Sequence, residues 1–232
     1  MFGVSGKRYD FMQKIRQETD LYSSGEKLFI LKYIPAPKWF RFNSSMLPLL
    51  SQTQHIRLPC DNILGLSVLV YQYFTIDLLG LVQRQIPRKA AKKVLKTCLQ
   101  GISELHEREI AHLDIKPENI VVNCRYDGSE LVIDQVQITD LENAAHLPGA
   151  WFIKDEPVGS DNWRSPETYF KAGITKSTDI SFIRSRGAQS DHPSLIRLKL
   201  QAAYFGDADG LKGLMKHIQY SLDDVTALAN YL

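Results

Sequence analysis

The octapeptide His112-Leu113-Asp114-Ile115-Lys116-Pro117-Glu118-Asn119 sets a carboxylate, a lysine two positions on and an amide five positions on, directly ahead of an apolar run that reads as a strand. Twenty-six residues after Asp114 comes Asp140, in Ile138-Thr139-Asp140-Leu141-Glu142, again at a strand end. Twenty-seven residues after Asp140 comes Glu167, closing Ser165-Pro166-Glu167. Phosphoryl transfer asks little covalent help of a protein. It needs a group that orients the attacking hydroxyl, cations on the transferred phosphoryl, and oxygen ligands for Mg²⁺. Asp114 suits the first task, and Lys116 can neutralise charge developing on the phosphoryl oxygens. Asn119 and Asp140 are hard oxygen donors of the kind Mg²⁺ takes.

These residues must be held by elements that the sequence also outlines. Leu28-Phe29-Ile30-Leu31-Lys32-Tyr33-Ile34 is an apolar run broken by one lysine and stopped by Pro35 and Pro37, which predicts a strand. Val68–Tyr71 predicts a second strand, and residues 42–54 a weak helix. After Pro87, the spacing of Ala91, Val94, Leu95, Cys98, Leu99, Ile102 and Leu105 predicts an amphipathic helix to about residue 106, with Arg88, Lys89, Lys92, Lys93 and Lys96 opposite. Tyr126-Asp127-Gly128-Ser129 is a turn between strands at 120–123 and 131–138. Residues 141–166 read as a long loop, a place where function concentrates. Further helical patterns cover about 193–204, 208–219 and 222–231, with Ser221 a cap for the last.

Composition narrows the class. The chain has 232 residues, 28 Lys+Arg against 26 Asp+Glu, and 44% hydrophobic residues, as ordinary globular proteins do. That excludes collagen, low-complexity disorder and a small disulfide scaffold. The longest mostly apolar stretch, Ile63 to Phe74, is too short to span a bilayer, so no membrane association is expected. Cys60, Cys98 and Cys124 are scattered and lack metal spacing, so they read as buried thiols of a reducing compartment; with no secretion signal, an intracellular location is expected. The first 103 residues are basic and the remainder acidic. The lysines of the predicted helix have no aromatic residues interleaved, so they form a solvated face and nucleic acid is not an expected partner. His112 reads as a packing residue, and the other histidines share no metal spacing. Asp207-Ala208-Asp209-Gly210 mimics the start of a calcium loop without its terminal glutamate and reads as a turn.

The ordered set Asp114, Lys116, Asn119, Asp140 and Ser165-Pro166-Glu167 resembles the protein kinase signature. Glu26 to Pro35 is similar to the kinase strand that carries the ATP-binding lysine, and Arg57 to Leu79 to the approach to the hinge and the hinge itself. Gly159 to Glu167 looks like the end of an activation segment, and Ala203 to Leu211 is similar to text in protein kinase-like proteins common in filamentous fungi. The resemblance implies an α+β, bilobal protein kinase-like fold, with a small β-rich N-lobe over 1–74 and a mostly helical C-lobe over 75–232. It implies ATP and Mg²⁺ as cofactors and a protein substrate. Lys32 would contact the α- and β-phosphates. Asp114 would be the catalytic base and Lys116 the γ-phosphate contact. Asn119 and Asp140 would ligate the metal. Gln72 and Phe74 would offer backbone groups to adenine, with Tyr71 behind them and Val121 under the ring. Glu167 and Asp179 would be structural anchors.

The pattern also departs from the family. No G-x-G-x-x-G precedes Lys32, and Gly3 and Gly6 are its only remnant. No glutamate lies between Glu26 and Glu104 to pair with Lys32; Asp61 and Asp77 are the only acids there, and neither is well placed. Leu113 stands where an arginine usually reads a loop phosphate. Only Ser160 and Ser165 in the loop could be phosphorylated, so switching by that route is not expected. Leu141-Glu142 replaces Phe-Gly, which removes easy access to unusual backbone angles. After Asp179-Ile180-Ser181-Phe182 the text turns polar up to Pro193, as though the central C-lobe helix had been lost and the C-lobe left incomplete. The leading expectation is ATP/Mg²⁺-dependent phosphoryl transfer to protein Ser/Thr. The alternatives are a catalytically impaired pseudokinase acting as an interaction module, or a small-molecule phosphotransferase, against which Lys116 and Ser165-Pro166-Glu167 weigh.

Overall fold

The computed structural model describes residues 1–180 except 17–18, 64, 85, 150, 155–157, 161–162, 166–167 and 169–172. The anchor expected of Glu167, the polar stretch after Phe182, the tail helices with their Ser221 cap and the Asp207–Gly210 turn lie outside the described residues. The chain divides into two compact units, one formed by residues 1–108 and 117–143, the other by 109–116 and the chain from 144 onward.

The first unit opens with an antiparallel sheet built from β1 (Asp10–Arg16), β2 (Thr19–Ser24), β3 (Lys27–Tyr33), β4 (Asp61–Ile63) and β5 (Val68–Gln72), in the order β1-β2-β3-β5-β4. The two-residue period of a strand sorts β3 into two faces. Phe29 and Leu31 point into a core with Tyr9, Tyr22, Ile63, Val68 and Val70. Lys32 and Ile30 take the other face, and the register sets them opposite Leu69 and Tyr71 of β5. The predicted strands at 28–34 and 68–71 are therefore found, and the lysine lies on the face it shares with Tyr71.

Gly3 and Gly6 are not part of the β1–β2 connection. That connection falls at residues 17–18, between Arg16 and Thr19, where the sequence has no glycine. Gly3 instead lets the first residues lie close over β4. A Cβ there would collide with the Asp61 carboxylate. Asp61 accepts hydrogen bonds from the Ser5 amide (3.1 Å), the Ser5 hydroxyl, the Tyr9 hydroxyl (2.9 Å) and the Asn62 amide (2.9 Å). Burial alone would raise this carboxyl, but those bonds outweigh it and hold it below its ordinary value of 3.8. A depressed folded value stabilises the fold above the unfolded value, and the contribution is lost as pH falls through the folded one. Asp61→Asn should therefore cost about 1–3 kcal/mol in urea unfolding at neutral pH. The gap to wild type should narrow as pH drops below 3.8. A gap that stays constant into acid would show that the charge of Asp61 does not matter.

The helix expected over 42–54 begins earlier. α1 (Ala36–Arg41) starts directly after Pro35, with Pro37 in its first turn, where a missing N–H costs nothing. A wider π-type turn, Phe42–Met46, follows, and turns carry the chain on from there. The rest of the unit is β6 (Ile76–Asp77), α2 (Leu78–Gln83), α3 (Arg88–Glu107), β8 (Ile120–Asp127) and β9 (Glu130–Ile138), with β6-β8-β9 forming a second antiparallel sheet. The β8–β9 hairpin turns tightly at Gly128, whose φ is +61°, so both strands run closer to the turn than their apolar residues suggest. Asp77 caps α2 by accepting from the Gly80 amide at 2.8 Å.

α3 matches its predicted span, but its buried stripe is rotated. Ala90, Val94, Cys98, Gly101, Ile102 and Leu105 are buried, while Leu95 and Leu99 are exposed. The reason is close approach at Gly101, where a Cβ would lie 2.9 Å from Ile138 Cδ1 of β9. The five basic residues expected on its solvated face are all exposed. The three cysteines are free, but only Cys98 is buried; Cys60 is exposed and Cys124 lies between.

The second unit pairs β7 (Ile110–Ala111) with β10 (Ala145–His146), a short ladder inside the stretch that reads as loop. Ala111, Leu113, Leu147 and Ile174 form its apolar cluster, with Ile153 and Val158 packed against them. A 3₁₀ turn, Lys176–Ile180, brings Asp179 beneath it. Among the described residues no helix is long and apolar enough to cross a membrane.

Candidate active site

In the first unit, the Lys32 ammonium lies 2.6 Å from Asp140 Oδ1 and 3.0 Å from Glu142 Oε1. Burial alone would lower the lysine, but the two carboxylates outweigh it and raise it, so it stays charged. Asp140 follows β9 with φ +70°, a left-handed conformation unusual for a residue with a side chain. The unusual angle thus falls on the aspartate itself, and Leu141–Asn143 continues as a 3₁₀ turn. Glu142 is 5% exposed. Burial pushes its carboxyl up to about 7; neighbouring Asp140 adds to the rise and Lys32 opposes it. Asn119 is buried in the 3₁₀ turn Pro117–Asn119, and its carbonyl accepts from the Thr139 amide at 2.9 Å, one residue before Asp140. That bond ties the two expected metal ligands together through the backbone.

The hinge residues close the same unit. Tyr71 and Phe74 are buried, and the Arg57 guanidinium stacks on both rings at 5.0 and 5.3 Å. Arg57 Nη2 donates to the Gln72 carbonyl, one of the groups expected to meet adenine. A carbonyl has two lone pairs, so this bond leaves one for a base. Burial lowers the Arg57 guanidinium to about 10. The Phe74 carbonyl and amide follow directly, and Val121 pairs with Asp77 just beyond them.

In the second unit, Asp114, Lys116 and Ser160 form a closed triangle. Lys116 Nζ lies 2.7 Å from Asp114 Oδ2 and donates to Ser160 Oγ at 2.7 Å. The Ser160 amide and hydroxyl both donate to Asp114 Oδ1, at 2.9 and 2.8 Å. The segment is held from below by Asp179, which accepts from the His112 and Leu113 amides at 2.8 Å each. Asp179 is 2% exposed and acts as the anchor expected of it. His112 is fully buried and accepts from the Asp114 amide at 3.3 Å, a structural part as expected. Leu113, with φ +67°, packs in the apolar cluster instead of facing a phosphate. Of the two loop serines, Ser165 is 1% exposed and shares a hydrogen bond with Thr168, while Ser160 is engaged as above.

Among the residues expected from the sequence, Lys32 and Asp140 come together in one unit, and Asp114 and Lys116 in the other. Glu142, Ser160 and Arg57 were named in the sequence, but not for the contacts they make here. Ser160 lies inside Gly159–Glu167, which resembles an activation-segment end, and reads there only as phosphorylatable; Glu142 reads only as the residue in place of glycine, and Arg57 only as the start of the approach to the hinge. The donor set fits Mg²⁺, which takes one or two protein oxygens and leaves its other positions to phosphates and water. Asp140 keeps 30% of its side chain exposed. Among the described residues no group of three or more His, Cys, Asp or Glu is arranged to hold a metal ion, so Asp140 and Asn119 are the donors this fit relies on.

A lysine on a sheet face, an aspartate after a later strand and an Asp-x-Lys-x-x-Asn turn are the parts of a phosphoryl-transfer domain. The profile of the protein kinase domain matches residues 66–181, half of the chain. The chain belongs to the protein kinase family. It is 32% identical over 102 residues to the DNA damage response protein kinase DUN1 of Saccharomyces cerevisiae, covering 39% of this chain and 20% of that protein. It is 32% identical over 93 residues to the calcium/calmodulin-dependent protein kinase cmkA of Emericella nidulans, covering 40% of this chain and 21% of that protein. These matches span about a fifth of the relatives' length. Among solved structures, a chain of the yeast RNA Pol II CTD kinase CTDK-1 complex superposes with a TM-score of 0.65 at 18% identity, over 82% of this chain and 66% of that one. That likeness shows the α+β protein kinase-like fold.

Proposed function

We propose that this chain binds ATP and Mg²⁺ and transfers the γ-phosphoryl group to Ser or Thr hydroxyls of an intracellular protein. The observation that carries the reading is the Asp114–Lys116–Ser160 triangle, a carboxylate fixed from two sides with a cation at its edge. Asp114 orients the incoming hydroxyl and takes its proton as the oxygen attacks phosphorus. Lys116 offsets the charge that builds on the γ-phosphoryl oxygens while ADP leaves. Lys32 holds the α- and β-phosphates. Asn119 and Asp140 hold the metal, which when bound draws charge from the phosphate oxygens. A further relative, 35% identical over 78 residues, is the probable serine/threonine-protein kinase FMP48 of Saccharomyces cerevisiae, which supports the hydroxyl class.

One observation favours a second reading. The sequence between β1 and β2, Gln17-Glu18, has no glycine, whereas kinases cover the phosphates with a glycine-rich loop; this favours a pseudokinase that binds partners without transferring phosphate. Thermal unfolding with and without nucleotide separates the two. A working site should gain about 3 kcal/mol when ATP·Mg²⁺ is present at a hundred times its Kd, and less without the metal. Labelled phosphate should then appear on a generic Ser/Thr substrate. Nucleotide stabilisation without transfer selects the pseudokinase, and no stabilisation at all rules out the kinase.

A further inference from the structure

Lys32 is held by two carboxylates, and the proposed metal site accounts for only one of them. Glu142 is 5% exposed, and a carboxylate is buried at high cost unless a cation compensates it. Neither of its oxygens makes a hydrogen bond of good geometry, so the Lys32 ammonium at 3.0 Å is the compensating charge. The turn that carries Glu142 is fixed from outside by α1. Arg41 Nη2 donates to the Glu142 carbonyl at 2.7 Å, and Lys38 Nζ donates to Asn143 Oδ1 at 2.8 Å. α1 itself, Ala36-Pro37-Lys38-Trp39-Phe40-Arg41, contains no acid. In kinases at large the phosphate-binding lysine pairs with a glutamate of the helix after its strand. Here that helix is basic and grips the turn, while the carboxylate comes from the turn.

We propose that Glu142 is the positioning residue for Lys32, supplying from the turn after Asp140 the carboxylate that α1 lacks. The proposal rests on the kinase reading above. Its consequence is that the lysine and the metal-site aspartate are set by one three-residue turn. A kinase with the glutamate on its helix can break the pair by moving that helix. In this chain the pair stays intact as long as the turn does.

The test uses the full chain as wild type, Glu142→Gln, Glu142→Asp, Lys32→Met and the Lys32→Met/Glu142→Gln double variant. Melting midpoints are read without nucleotide, and MgATP affinity by displacement of a fluorescent ATP analogue. Glu142→Gln should weaken MgATP roughly tenfold or more, through loss of the close charge pair that holds Lys32, and Glu142→Asp should recover part of the loss. Glu142→Gln should also shift the midpoint upward by more in the Lys32→Met background than in wild type, because there the carboxylate is buried without its counter-charge. Coupled midpoints with unchanged affinity would overturn the positioning role and leave only a structural ion pair. Equal midpoint shifts in the two backgrounds would overturn the pairing itself. A wild type that binds no MgATP overturns the kinase reading and this proposal with it. Intact binding that Glu142→Gln does not alter overturns this proposal alone.

Discussion

Asp114→Asn is expected to reduce phosphoryl transfer about a thousandfold while MgATP binding stays within a few-fold of wild type. Asparagine keeps the shape of the side chain, and its carbonyl can still accept from the Ser160 amide, which donates to Asp114 Oδ1 at 2.9 Å. What it loses is the charge that the proposed mechanism needs to take the hydroxyl proton, and the ion pair with Lys116 at 2.7 Å. Because that pair is partly exposed, with side-chain exposures of 19% and 9%, its loss should cost stability only on the order of 1 kcal/mol. The informative result is the split: kcat collapses, and nucleotide affinity and melting barely move. Transfer by the asparagine variant within tenfold of wild type would remove Asp114 from the chemistry.

The largest effect on the fold is expected at Asp179. The carboxylate accepts from two backbone amides, His112 and Leu113, in a place where water does not reach. Asp179→Ala leaves both donors buried without an acceptor, at about 1–3 kcal/mol each, so a total of roughly 2–6 kcal/mol in denaturant unfolding. Domains of this size have only about 5–15 kcal/mol to lose, so the variant should give up a large share of its stability and melt well below wild type. Asp179→Asn keeps one acceptor oxygen and should fall between. Transfer should drop even in the folded fraction, since Leu113 sits at φ +67° and sets the direction of Asp114. A variant as stable as wild type would mean that other groups satisfy the two amides.

The sequence-readable part of the site is local in the chain. Asp114, Lys116 and Asn119 lie within six residues, and a short turn allows few arrangements of such a group. The strand of Lys32 and the strand end of Asp140 were legible for a similar reason: apolar alternation and its breaks report strands directly. The rotated stripe of α3 was not legible, because Leu95 and Leu99 are as apolar as Val94 and Cys98. Only the close approach at Gly101 to Ile138 decides which side is buried. Gly3 and Gly6 misled because a glycine advertises backbone freedom without saying what needs it; at Gly3 it is the close Asp61 carboxylate, and at Gly6 a turn with φ +80° and open space around it.

By itself the sequence determined the family, the short segments that hold the candidate site residues and the strands that carry them, because spacing along a chain constrains short segments strongly. Only the tertiary structure decided how charge is balanced around them. Lys32 and Glu142 are far apart in the chain, and Lys116 and Ser160 lie in separate segments, yet they stand 3.0 and 2.7 Å apart. Coulombic and hydrogen-bonding partners are chosen by distance in space and by burial, and neither is written in the order of residues. The missing helix glutamate is a case in point: the sequence shows it absent, and the fold supplies its carboxylate from Glu142.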